Sequence, residues 1–136
     1  MAQKVKTAQI DPSSESWTQI SSGVTGWGST TSSNIWWKQI GKTVFMTGDI
    51  AGTSNSSTTS ITLPVAPSTH CKYYEGQIGL VIDNGSVGGP GRWSIDNQAT
   101  SPSPATVVGF FTNQGGSNWT ATGTKQLRFS MFYEAG

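Results

Sequence analysis

Three small groups of residues in this chain could do chemistry. Gly41, Lys42 and Thr43 match the end of a phosphate-binding loop. That motif needs a second glycine five residues earlier, where this chain has Trp36, and it needs a following helix. The residues that follow, "VFMTGDI", are spaced for a strand, so a hairpin turn is the better account. His70 and Cys71 are the only histidine and cysteine. A zinc site wants three or four converging N or S ligands. A Cys–His nucleophilic pair needs side chains that face one another, which adjacent loop residues rarely do. Asp49, Glu75, Asp83, Asp96 and Glu134 could supply the two carboxylates of glycoside hydrolysis. They fall on different strands and turns, and nothing in the sequence pairs them. No Asp-rich loop suits calcium. The expectation is no catalytic residue, no metal and no cofactor.

What remains is a set of aromatics in polar surroundings: Trp27 in "GWGS", Tyr73 and Tyr74 in "KYYE", Trp93 in "RWSID" and Trp119 in "SNWTATG". Sugars present apolar C–H faces ringed by hydroxyls. A flat ring beside an Arg, Asp or Asn complements both features. The candidate ligand contacts are therefore Trp27, Tyr73, the local set Arg92, Trp93 and Asp96, and the pair Asn118 and Trp119. The competing account is that these rings plug the ends of the fold or meet another protomer.

The elements that must carry these residues are strands. The chain has 136 residues, enough for one domain. Its formal net charge of +1 offers no broad basic field for nucleic acid or anionic lipid. Charged and aliphatic residues are sparse, yet there are six Trp, five Phe and three Tyr, which argues against disorder. A neutral, Ser/Thr/Gly-rich chain with aromatics fits an all-β domain. Residues 1 to 16 are polar and read as a leader or neck; residues 17 to 136 read as the domain. A single cysteine excludes an intrachain disulfide and fits folding in a reducing cytoplasm. No apolar run reaches membrane-spanning length, and no signal-peptide core opens the chain, so neither membrane insertion nor the usual export route is expected. The Asn-x-Ser/Thr triplets at 55, 84 and 118 matter only in a eukaryotic secretory route.

Short apolar runs alternate with turns: "SWTQI", an irregular stretch over 21 to 34, "IWWKQI", "TVFMTGDIAG", "ITLP", "GQIGLVID", "RWSID", "ATVVGFF" and "KQLRFSMFY". This gives about eight strands and no convincing helix, and predicts a two-sheet antiparallel β-sandwich. Gly41 suits the first position of a type II′ hairpin turn. Ile40 then opposes Thr43, Trp37 opposes Met46 and Trp36 opposes Thr47. One face carries Ile35, Trp37, Val44, Met46 and Ile50 and belongs to the core. The other carries Trp36, Lys38, Ile40, Phe45, Thr47 and Asp49. A large aromatic on that half-polar face, Trp36 above all, is expected against another surface.

The same hairpin carries a resemblance. Trp37, Ile40, Gly41, Val44, Gly48 and Ile50, with "ITLP", "LRFSMFY" and the opening "SWTQISSG", resemble the C-terminal β-sandwich domains of bacteriophage tail fibres and tailspikes. Trp at 37 replaces the more usual Tyr, and Gln19 stands where Pro is usual. The resemblance covers residues 17 to 136 and is a pattern of apolar and turn positions with no catalytic signature. It implies a jelly-roll-like sandwich at the distal end of a homotrimeric fibre, joined to the rest of the fibre, assembled in the host cytoplasm and carried on the virion. It also implies contact with host cell-surface polysaccharide or stabilisation of the trimer. Trp36 and Phe45 are the expected trimer contacts. Three function classes follow: non-catalytic glycan binding at a fibre tip, a structural trimerisation and capping domain, and a carbohydrate-binding module of a bacterial enzyme.

Overall fold

The computed structural model describes residues 16–98 and 104–136. All but the last residue of the proposed leader, and the middle of the 97–104 loop, lie outside them.

Eleven strands form among the described residues: β1 (Thr18–Gln19), β2 (Val24–Thr25), β3 (Trp27–Ile40), β4 (Thr43–Ser54), β5 (Thr59–Thr62), β6 (Tyr73–Ile78), β7 (Leu80–Asp83), β8 (Ser86–Gly88), β9 (Gly91–Asp96), β10 (Val107–Phe111) and β11 (Thr124–Glu134). They build a six-stranded sheet, β1-β3-β4-β11-β7-β8, and a five-stranded sheet, β2-β5-β10-β9-β6. Every pairing is antiparallel. The predicted two-sheet sandwich is what forms. Six of the ten connections pass from one sheet to the other, which makes it jelly-roll-like.

Three strands exceed the sequence expectation. Two are short, β2 and β8. The third arises because "GQIGLVID" is not one strand. It breaks at Gly79, so that β6 belongs to one sheet and β7 to the other. Gly79 N donates to Arg128 O at 2.8 Å and steers the crossing.

Turn chemistry sets the register. Gly41 has φ +59°, while Lys42 does not have positive φ, as a type II′ turn requires. The β3–β4 ladder then pairs Ile40 with Thr43, Trp37 with Met46 and Trp36 with Thr47, as the sequence predicts. Two register shifts, at Trp27/Ser29 and Thr30/Ser32, explain the irregular 21–34 stretch. Asn84 and Gly85 both have positive φ, the type I′ signature, and join β7 to β8.

The core lies between the sheets. Ile35, Val44, Met46 and Ile50 face Ile61, Ile95, Val108 and Phe110, and β11 adds Leu127, Phe129, Met131 and Tyr133. Phe110 and Phe129 meet across the sheets with centroids 4.8 Å apart. Each such side chain contributes roughly 1.5–3 kcal/mol when buried. Trp37 packs against this core from its margin, whereas Trp36 is 37% exposed on the outer face.

Among the described residues, one buried position is a lysine. Lys125 is inward-facing on β11 and buried. Its Nζ donates to Gly26 O at 2.9 Å and lies 5.0 Å and 4.9 Å from the ring centroids of Trp27 and Trp119. The carbonyl and the two π faces partly replace the lost hydration. Burial still pushes the amine down to about 8, against an opposing pull from Asp83.

Candidate functional site

Alternation on a strand decides which candidate residues can reach a ligand. On β9, Arg92, Ser94 and Asp96 face outward, while Gly91, Trp93 and Ile95 face the core. On β6, Tyr73, Glu75 and Gln77 face outward, and on β10 so do Val107, Gly109 and Phe111.

These outward residues surround a hollow of about 270 Å³ on the five-stranded sheet. Its floor is a row of small residues in register, Ser94 opposite Gly109, with Glu75 paired to Ser94 from the other side. Tyr73 opposite Asp96 forms one wall, with Val107 beside them. Arg92 opposite Phe111 forms the other. The Arg92 guanidinium lies 5.0 Å from the Phe111 ring centroid, and its Nη1 is 4.0 Å from Glu75 Oε1. Arg92 Nε is buried with no partner among the described residues. Asp96 Oδ1 accepts a hydrogen bond from Gln98 N at 2.9 Å. The hollow thus combines aromatic surface, two carboxylate acceptors, a guanidinium donor and a hydroxyl. That is a set able to hold a polyhydroxylated ring.

The structure thereby brings together three of the seven predicted ligand contacts, Tyr73, Arg92 and Asp96. It corrects three others. Trp93 is 5% exposed and lies inward against Gly76. Trp119 is 3% exposed, with its Nε1 donating to Phe110 O at 2.9 Å. Trp27 packs inward beside Lys125, and its Nε1 is buried. Trp93 and Trp119 offer no open face to a sugar, and the half-buried Trp27 lines neither this hollow nor the larger one on the other sheet. Asn118 is exposed on the loop before β11 but lines neither this hollow nor the next.

A second hollow, of about 540 Å³, opens on the outer face of the six-stranded sheet. Trp36, Thr47 and Ser130 form one cross-strand row, and Asn34, Asp49 and Arg128 the adjacent row. Arg128 Nε lies 3.6 Å from Asp49 Oδ2. The row beyond Trp36 holds Lys38, Phe45 and Phe132, with Phe45 and Phe132 ring centroids 6.4 Å apart. Phe132 is 66% exposed, and Ile40 is also exposed. The expected trimer contacts Trp36 and Phe45 therefore share one outer face.

Sequence reasoning missed a polar relay. Ser68 Oγ and His70 Nδ1 share a short hydrogen bond, and His70 Nε2 lies 3.4 Å from Glu134 Oε2. Serine, histidine and carboxylate in series are the connectivity of an acyl-transfer relay. Here His70 and Glu134 are largely solvent-exposed, and neither Ser68 nor His70 lines a hollow. Ser68 N also donates to Glu134 O at 2.7 Å, so the group serves as a clasp between the 64–72 loop and the end of β11. Among the described residues, no group of three or more His, Cys, Asp or Glu side chains is placed to hold a metal ion.

No protein-family model matches the chain, and no curated protein or solved structure matches it.

Proposed function

We propose that this domain binds a cell-surface saccharide without catalysis, at the distal end of a bacteriophage tail fibre. The observation that carries the binding reading is the hollow on the five-stranded sheet, where Tyr73, Arg92, Asp96, Glu75 and Phe111 converge around a floor of Ser94 and Gly109. The fibre context rests on the sequence resemblance at the β3–β4 hairpin. Glu75 and Asp96 share the hollow, and Glu75 is 46% exposed and turned to Arg92, an arrangement suited to accepting hydrogen bonds from sugar hydroxyls. Three copies would convert weak single sites into useful avidity.

A structural role at the fibre end is the second reading, and one observation favours it. Phe45, Phe132 and Ile40 form an apolar cluster on the outer face, beside Trp36. Such a cluster suits contact between copies of this chain.

The deciding experiment is calorimetric titration of the domain with polysaccharide purified from candidate host cells. Saturable binding that Tyr73→Ala weakens about tenfold, with no reducing ends released, is the expected result. Binding untouched by Tyr73→Ala and by Arg92→Lys would remove this hollow from the account. Released reducing sugar would remove the non-catalytic reading.

A further inference from the structure

We propose that the larger hollow, on the six-stranded sheet, is a second saccharide site, with Trp36 as the platform for a neutral, hydroxyl-rich ring. This inference stands on its own residues and does not depend on the first hollow. It gives Trp36 a ligand where the sequence suggested a neighbouring protomer.

At about 540 Å³ the hollow falls in the size range of small-molecule sites. It exists because the Trp36–Thr47–Ser130 row pairs one tall side chain with two short ones. It is open at one side because the chain returns to this sheet only after Gly79, where β7 begins. Beyond Arg128, no strand among the described residues pairs with that side of β11.

The polar groups are of both signs and are incompletely engaged. Asp49 meets Arg128 through Nε at 3.6 Å and accepts from Gln126 Nε2 at 3.3 Å, both long contacts. The Asn34 carboxamide and the terminal nitrogens of Arg128 make no hydrogen bond among the described residues, and both residues line the hollow. An anionic sugar would gain from Arg128 and lose to Asp49. A neutral sugar can donate hydroxyls to Asp49, accept from Arg128 and Asn34, and lay its C–H face on the indole. The ligand class is therefore a neutral hexose or N-acetylhexosamine unit.

The test is an NMR titration of the isotopically labelled full chain with the methyl glycosides of glucose, galactose, mannose and N-acetylglucosamine, and with glucuronic acid, at high millimolar concentration. The expected result is a shift of the Trp36 indole N–H and of the Thr47 and Ser130 amides with at least one neutral glycoside, and a smaller one with glucuronic acid. The response should vanish in Trp36→Ala, weaken about tenfold in Asp49→Asn, and persist in Tyr73→Ala. Shifts confined to the Tyr73 and Ser94 amides would overturn this proposal and leave the first hollow standing. Shifts confined to Trp36 and its neighbours would do the reverse. No shift at either place overturns both. Sedimentation showing an oligomer that Trp36→Ala dissociates would also overturn it, because the indole would then be covered by protein.

Discussion

Gly76 stands opposite Trp93 on the neighbouring strand, and the Trp93 indole fills the space that a side chain at 76 would need. The pair fixes the inward aim of Trp93, and with it the outward aim of Arg92 and Ser94. Gly76→Ala should cost about 1–3 kcal/mol through overpacking, and Trp93→Ala about 3–5 kcal/mol through the cavity it leaves. Urea unfolding followed by far-UV circular dichroism measures both. A Trp93→Ala protein as stable as the parent would refute the inward assignment.

Tyr73 is 47% exposed at the wall of the smaller hollow. Tyr73→Ala should leave stability within about 0.5 kcal/mol while weakening saccharide binding about tenfold, the loss expected for one polar or stacking contact. Arg92→Lys keeps the charge but loses the planar fork and its stacking on Phe111, so it should weaken binding comparably. Calorimetry on both variants, beside a urea titration, separates binding from folding.

Stability should rise with pH across the alkaline range up to about pH 10. The Lys125 amine titrates near 8 when folded, against an ordinary value of 10.5. Between those values the unfolded chain holds a proton that the folded chain has released. Raising the pH therefore favours folding, by up to about 1.4 kcal/mol per pH unit. Tyr133 works the other way: burial pushes its hydroxyl up to about 12, so above pH 10 the folded chain keeps a proton that the unfolded chain loses. The optimum should fall near pH 10. Lys125→Met should abolish the rising limb, as read from urea midpoints between pH 7 and 10.

Phe132 and Phe45 lie side by side on the outer face of the six-stranded sheet, with Ile40 exposed nearby. If copies of the chain meet there, Phe132→Ser should shift sedimentation from trimer to monomer while the melting temperature of the monomer stays unchanged. A trimer that survives both Phe132→Ser and Phe45→Ser must be built through another surface.

Much of the architecture was legible because the hairpin and β11 follow alternation strictly. A single glycine at a two-residue turn fixed the β3–β4 register pair by pair. The break at Gly79 was not legible: a glycine within an apolar run looks the same whether the strand bends or changes sheets. For the site, the alternation that separates Trp36 from Trp37 also separates Arg92 from Trp93. Treating Arg92, Trp93 and Asp96 as one set ignored it. Glu75 lies two residues after Tyr73 and so shares its face, a signal that was present in the sequence. Phe111 and Arg128 reach their hollows only through cross-strand pairing, which no local pattern reports.

The two hollows sit on opposite outer faces of a sandwich whose sheets are about 10 Å apart. They open away from each other. No short, rigid molecule can occupy both at once, so filling both takes two molecules or one long chain that wraps around an edge. If both hollows take saccharide as proposed, the domain would bridge, tying together two strands of a polymer mesh that would otherwise slide past one another.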